Sequence, residues 1–266
     1  ILVNMKKQKF VFATRFNVNA ILFQKGFIQK KVNQYLHLTL MKKNKHISLS
    51  AAAKGGNKSC LKYAFYIIGT TDIYKYILCN AAESGSLECL KYAHNVIEAT
   101  DIHNWTLSYA ALSGSLDCLK YSHEIIQAND NNYTLRYAAS SGSFACLKYA
   151  HKVIQARDNN WTLCNAALSG SFDCLKYAHN VIGATDDNWT LSSAAESGSL
   201  ACLKYVHEVI KSTDIYDWTL KNAARSGSLE CLIYAHEVIK ATGNSNVLCN
   251  AVKSGSLACI EYCKNI

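Results

Sequence analysis

A Ser-Gly-Ser tripeptide returns along this chain at intervals of 28 or 29 residues, with its glycine at Gly85, Gly114, Gly142, Gly170, Gly198, Gly227 and Gly255 and a degenerate predecessor at Gly56. A fixed period of this size means an array of small units stacked on one another. AAESGSLACLKYVH, Ala194 to His207, is the stretch that recurs most closely from unit to unit. The longer intervals carry DIYKY, DIHNW or DIYDW where the shorter ones carry DNNY, DNNW or DDNW. The length change therefore sits in one connector, between two elements of constant length.

Within a unit such as Asn104 to Ala128, the spacing predicts two helices. The first runs from about Trp105 to Leu112, with Leu107, Ala110 and Ala111 inside; the alanine pair lets another helix come close. Asn104 and its equivalents Asn132, Asn160, Asn188 and Asp217 read as side-chain N-caps of this helix. Ser113-Gly114-Ser115 ends it, because glycine tolerates the left-handed conformation at a helix end. Ser115 then caps the second helix, expected from Leu116 to about Ala128, whose positive end suits Glu88, Asp117, Asp173 and Glu230. Leu116, Leu119 and Ile126 form one apolar stripe of that helix, and Cys118, Tyr121 and Ile125 widen it.

One unit is not expected to fold alone. Ordering its residues costs on the order of 1–2 kcal/mol each, against roughly 1.5–3 kcal/mol for each large apolar side chain fully buried. Stacked units share faces, so stability accumulates along the array. The expected fold is all-α, a solenoid of stacked helix–turn–helix units over residues 47–266, about eight units with the last truncated. Ile266 is expected to stop the chain inside its last second helix. The start at Ile1, with Met5 close behind, reads as a fragment or an over-extended reading frame.

Charge separates the array from what precedes it. Residues 1–46 hold nine lysines and Arg15 with no Asp or Glu, a segment of +10, whereas the other 220 residues carry 18 basic and 19 acidic side chains. Attraction to nucleic acid or an anionic surface would reside in this leader. Part of it, Phe16 to Leu40, reads either as a worn-down N-terminal capping repeat, with Gly26 placed 30 residues before Gly56, or as a basic tail. No run of 18 apolar residues suggests a membrane span, and the leader lacks the features of a secretory or organelle presequence. An intracellular, cytoplasmic monomer is expected.

Eight of the twelve cysteines (Cys60, Cys89, Cys118, Cys146, Cys174, Cys202, Cys231 and Cys259) share one repeat position. Equivalent positions on helices packed roughly 8–10 Å apart lie beyond bridging reach. They read as buried, reduced thiols.

The pattern TLxxAAxSGSLxCLKYAH resembles the ankyrin pattern TPLHxAAxxGHxxVVxxLL, most strongly at Leu107, Ala110, Ala111, Gly114 and Leu119 and their equivalents, over roughly four fifths of the chain. The LECLKYAH runs are similar to short ankyrin-type repeats multiplied in giant DNA viruses and some protists; a viral origin would put the protein in host cytoplasm. The resemblance implies an ankyrin-like solenoid with shortened connectors. This chain lacks the Pro and His of TPLH, has Ser for the His after glycine, and has units four or five residues short of 33. Its Glu98–Asn104 connector is too short for the projecting β-hairpin of ordinary ankyrin repeats. Leucine-rich repeats need an LxxLxL strand that no unit contains, and tetratricopeptide repeats have another length and signature.

Recurrent polar residues suggest little chemistry. His94, His123, His151, His179, His207 and His236 share one position, yet ligands about 10 Å apart cannot converge on an ion bound at about 2 Å. With Phe65 and Lys264 at the same place in the end units, these read as inter-repeat packing. Tyr76, Trp105, Tyr133, Trp161, Trp189 and Trp218 read either as braces over the start of their own first helix or as a stacking platform. The tyrosine column from Tyr63 to Tyr262 reads as inter-repeat packing. Lys62, Lys91, Lys120, Lys148, Lys176 and Lys204 read as a solvated face rather than a phosphate track. No phosphate loop, nucleophile elbow, HExxH helix or paired-carboxylate motif appears, so neither an enzyme nor a cofactor or metal is expected.

Positions that vary between units are those stacking leaves free. The freest helical ones are Ser108/Tyr109, Arg136/Tyr137, Cys164/Asn165, Ser192/Ser193 and Lys221/Asn222. The ankyrin resemblance implies that such residues line a concave face, and the expected function is binding of another protein there as scaffold or adaptor. An effector domain lost at a truncated end, leaving a substrate adaptor, is a further reading. Nucleic-acid or anionic-surface binding through residues 1–46 is the alternative.

Overall fold

The computed structural model describes residues 45–68, 76–157, 161–213, 217–242 and 246–265. These form eight helix pairs, with no strand among the described residues. The pairs are α1 (Lys45–Lys54) with α2 (Lys58–Ile68), α3 (Ile77–Glu83) with α4 (Leu87–Asn95), α5 (Thr106–Leu112) with α6 (Leu116–Glu124), and α7 (Thr134–Ser140) with α8 (Phe144–Tyr149). They continue with α9 (Thr162–Leu168) and α10 (Phe172–Tyr177), α11 (Thr190–Glu196) and α12 (Leu200–Tyr205), α13 (Thr219–Ser226) and α14 (Leu229–Ile233), and α15 (Val247–Ser254) and α16 (Leu257–Cys263). Each first helix packs broadly along the next first helix, while successive second helices meet over fewer residues. The result is an all-helical array in which each unit contacts its neighbours. The expected capping repeat at 16–40 lies outside the described residues.

The alanine pairs account for the close side. Ala81, Ala82, Ala110, Ala111, Ala138 and Ala139 and their later alanine equivalents are fully buried, so at these positions nothing larger than a methyl stands between the helices. Between the two helix layers lie Leu90, Leu119, Leu147, Leu175 and Leu203, each beside its column cysteine and each solvent-inaccessible.

The tripeptide is a closed set of hydrogen bonds. The Ser113 hydroxyl donates to the Ala110 carbonyl at 2.7 Å and accepts from the Ser115 N–H at 3.2 Å, and the Ser115 hydroxyl accepts from the Cys118 N–H at 3.4 Å. Gly114 between them has φ +72°, and a Cβ there would sit 3.6 Å from the Cβ atoms of Ser141 and Ser143 in the next unit. The same turn ends one helix, starts the next and touches its copy.

Three local expectations are corrected. Asn104, Asn132, Asn188 and Asp217 do not cap the first helix through their side chains; they occupy positive φ, at 56°, 67°, 67° and 54°. Asn and Asp are the residues that tolerate this conformation best after glycine. The cap comes from further upstream, where the Asp101 carboxylate accepts from the N–H groups of Trp105 and Thr106, and Asp187 accepts from the Trp189 N–H at 3.1 Å. Asn160 lies outside the described residues.

The second helix is also shorter than expected, since α6 ends at Glu124. In units four to seven it widens into a π turn at Ala150–Ile154, Ala178–Ile182, Val206–Ile210 and Tyr234–Val238. A left-handed residue then lets the following N–H reach six residues back, as from Ala156 to the Ala150 carbonyl at 3.0 Å. This returns Ile154 and Ala156 to the core and turns the residue before Ile154 outward. Ile125 is exposed as well, like Val96, Val153, Val181, Val209 and Val238, instead of widening the apolar stripe, because at the end of α6 the Ile126 N–H already reaches five residues back to the Tyr121 carbonyl at 3.1 Å. At the end of the array, α16 closes at Cys263 with Lys264 as its capping residue.

Candidate functional site

The ten variable first-helix residues divide by depth. Ser108, Cys164 and Ser192 are buried, which corrects their assignment to a partner-binding face. Ser108 donates to the Asn131 Oδ1 and lies 3.3 Å from the Thr134 hydroxyl, both in the next unit. Cys164 Sγ is 3.1 Å from the Ser193 hydroxyl, and Ser192 donates to the Trp189 carbonyl at 3.0 Å. Asn165 is buried too, donating to the Trp161 carbonyl at 2.8 Å. Ser108, Arg136 and Cys164 thus turn toward the following unit. Small side chains are enclosed there, whereas Arg136 and Lys221 are long enough to emerge. Tyr109, Tyr137, Ser193 and Asn222 are partly exposed.

The emergent groups meet aromatic rings. The Arg136 guanidinium lies 5.4 Å from the Trp161 ring centre and 5.9 Å from those of Tyr133 and Tyr137. Trp105 stacks on Tyr133 at 5.3 Å, and Tyr109 lies 6.1 Å from Tyr137. Further along, Trp189 and Trp218 are 4.6 Å apart, and the Lys221 ammonium sits 4.0 Å over Trp218. Trp105 does touch Tyr109 of its own first helix, at 5.8 Å. Two pairs of the series nevertheless meet across units, Trp105 with Tyr133 and Trp189 with Trp218, so the brace reading is incomplete. Tyr76, Tyr133, Trp161 and Trp218 of the series are exposed.

A third variable position escaped the reading of the pairs. The residue after Ala-Ala is Lys54, Glu83, Leu112, Ser140, Leu168, Glu196, Arg225 and Lys253 in turn, with Val252 replacing the second alanine of the last unit. Its variation between units was a signal as strong as that of the pairs. Lys54 pairs with Glu83 at 2.8 Å, and Arg225 pairs with Glu196. The hydrogen bond to Glu83 and its charge raise the Lys54 pKa.

Other recurrent residues are placed inside the stack. Each column histidine from His94 to His236 has Nδ1 within 2.9–3.1 Å of the tyrosine hydroxyl of the next unit, with the rings edge to face. Phe65 meets Tyr92 edge to face in the same way. Lys91, Lys120 and Lys204 are exposed and lie over Tyr121, Tyr149 and Tyr234. All twelve cysteines are free. Burial raises the pKa of the buried column thiols from Cys89 to Cys231 and pushes Cys79 and Cys164 up to about 11. Among the described residues no three His, Cys, Asp or Glu side chains are grouped to hold a metal ion, and no helix is long and apolar enough to cross a membrane.

Fold and face together define a helical-repeat protein whose constant residues stack and whose varied residues collect on the first helices. No family model and no curated protein matches the chain.

Proposed function

We propose that the first-helix face binds another protein, making this chain a non-catalytic scaffold or adaptor. The observation that carries the reading is the partly exposed cluster of Trp105, Tyr109, Tyr133, Arg136, Tyr137 and Trp161 across units three to five. Aromatic and arginine side chains dominate binding energy at protein interfaces, and a ring held by its neighbours loses little entropy on binding. The ankyrin-like character of the array belongs to the same proposal. It is supported by the closely packed alanine-paired helices and by the left-handed glycine turns. We place the protein inside the cell as a monomer.

The test is replacement of Tyr109, Arg136, Tyr137 and Lys221 together by alanine. Partner capture from source-cell extract is expected to disappear while the helical circular-dichroism signal persists; unchanged capture sinks the proposal.

A second reading rests on the +10 charge of residues 1–46, nearly all outside the described residues. Binding of nucleic acid there would weaken steeply with salt. A gel-shift titration of the full chain against one lacking residues 1–44 decides it, since an unchanged shift removes the leader from consideration.

A further inference from the structure

The positive charge of the first-helix face is not spread evenly. At units six to eight it lines an open depression of about 450 Å³ that includes Lys221, Arg225, Lys253, Asn222, Asn250 and Glu196. We infer that this depression binds an acidic segment of the partner, through aspartate or glutamate carboxylates spaced along an extended chain. The inference rests on the protein-binding reading above and specifies the chemistry recognised.

Charge balance is the first argument. Three cations face one carboxylate, and that carboxylate, Glu196, is already paired with Arg225. Neither Lys221 nor Lys253 has an ion pair among the described residues. Nearer the other end of the same face Lys54 is paired with Glu83, and Arg136 is a lone cation packed among three rings. An incoming anion therefore finds unneutralised lysines at this end.

Donor geometry is the second. Lys221 is held over Trp218 and Arg225 is held by Glu196, so two of the three cations are positioned before any ligand arrives. The Asn222 and Asn250 amides each spend one N–H on a backbone carbonyl, at 3.3 and 2.9 Å. A carboxamide carries two N–H groups, so each retains one for a carboxylate oxygen.

Spacing is the third. Successive first helices lie roughly 8–10 Å apart, and an extended segment in the polyproline II conformation advances about 3.1 Å per residue with three residues per turn, which puts every third side chain on one face. Acidic residues at every third position of the segment therefore keep step with the units. A nucleic-acid strand fits less well, because its unbroken row of phosphates would continue toward units three to five, where Arg136 is the one Lys or Arg on the first helices α5, α7 and α9.

The experiment is fluorescence anisotropy with the full chain and a labelled twelve-residue peptide carrying Glu at every third position. Its Gln counterpart is the neutral control, and an unlabelled single-stranded oligonucleotide is the competitor. The Glu peptide is expected to bind, with affinity falling about tenfold or more for the Gln peptide and for the Lys221→Glu, Lys253→Glu variant. Lys120→Glu with Lys148→Glu, on the second helices, is expected to leave it unchanged. The basic leader contributes equally to both variants, so their difference reads the depression. Equal binding by the two lysine variants, equal binding of the Gln peptide, or displacement by oligonucleotide at lower concentration than by unlabelled Glu peptide overturns the inference. If the alanine variant of the previous section loses partner capture while the Glu peptide fails to bind, the acidic chemistry is wrong and the protein-binding face stands.

Discussion

The Nδ1 of His123 lies 3.1 Å from the hydroxyl of Tyr149 in the next unit, and that hydroxyl donates at 2.7 Å to the carboxylate of Glu124, beside His123. A phenol has one proton. Committing it to Glu124 leaves the oxygen as acceptor, so His123 must hold its proton on Nδ1. The arrangement recurs as His207, Tyr234 and Glu208, and as His236, Tyr262 and Glu237. What repeats along this layer is a proton-ordered link between neighbouring units.

Alkaline stability follows from it. Burial, and then the hydrogen bond to Glu124 or Glu208, pushes Tyr149 and Tyr234 up to about 12 from the ordinary 10.0. A raised pKa in the folded state means the folded chain holds its phenol protons where the unfolded chain has lost them. Their contribution is thus complete below pH 10 and declines as the pH rises from 10 to about 12. Urea midpoints measured across that range should fall less steeply for Tyr149→Phe with Tyr234→Phe than for the parent. Parallel slopes would show that the hydroxyls are not coupled to folding.

Unit four departs from this scheme, because Lys152 stands where Glu124, Glu208 and Glu237 stand. Burial, and then the charge of Lys152, lower the His151 pKa below 6.5. The stability associated with a neutral His151 is present above pH 6.5 and is lost as the pH falls through the lowered value. Lys152→Glu removes the repulsion and offers Tyr177 a carboxylate. The His151 titration followed by proton NMR should move upward, and stability near pH 7 should rise by about 0.5–1.5 kcal/mol.

The ends of the second helices permit a matched pair of substitutions. Gly183 has φ +71° with nothing within 4 Å of a built Cβ, whereas Gln155 occupies the equivalent left-handed position at φ 56°. Since the left-handed conformation costs a residue with a Cβ roughly 1–2 kcal/mol, Gly183→Ala should destabilise by about 1 kcal/mol and Gln155→Gly should stabilise by a smaller amount, after the added freedom of the unfolded chain. Chemical denaturation measures both. Two shifts of the same sign would place the energetics in side-chain contacts instead.

The array itself was legible because its signals are repeated. Two helices per unit, the Ser-Gly-Ser turn and the Ser115-type cap each appear several times over. Features that depend on where a neighbour sits were not legible. Ser108 and Tyr109 are adjacent and equally variable, yet one is buried against Asn131 and Thr134 while the other reaches the surface. The connector asparagines carried a true signal that fits two roles, since a residue good at capping is also tolerant of positive φ. The five- and six-residue hydrogen bonds that end the second helices left no mark in a helical period, so the outward swing of Ile125 and Val153 was hidden. The depression at units six to eight depends on Arg225 and Lys253, which follow the alanine pair and so lie outside the variable positions between Leu and Ala-Ala.

The cysteine column supplies a unit-by-unit report of opening. Thiolate is the reactive form, and burial raises the pKa of the column thiols from Cys89 to Cys231, so each carries less of it at pH 8 than an exposed thiol. Cys249 is exposed and Cys60 partly so, while the column from Cys89 to Cys259 is solvent-inaccessible. In the folded protein an aromatic disulfide reagent should therefore modify Cys249 first and Cys60 more slowly. The column thiols should react only through opening of their units. Because each unit draws stability from its neighbours, opening should be easiest near the ends and hardest in the middle, so Cys146 and Cys174 should be the last of the column to be modified. Mass spectrometry of peptides after timed quenching gives the order directly. Uniform modification along the column would mean that the units open together and that the array unfolds as one cooperative body.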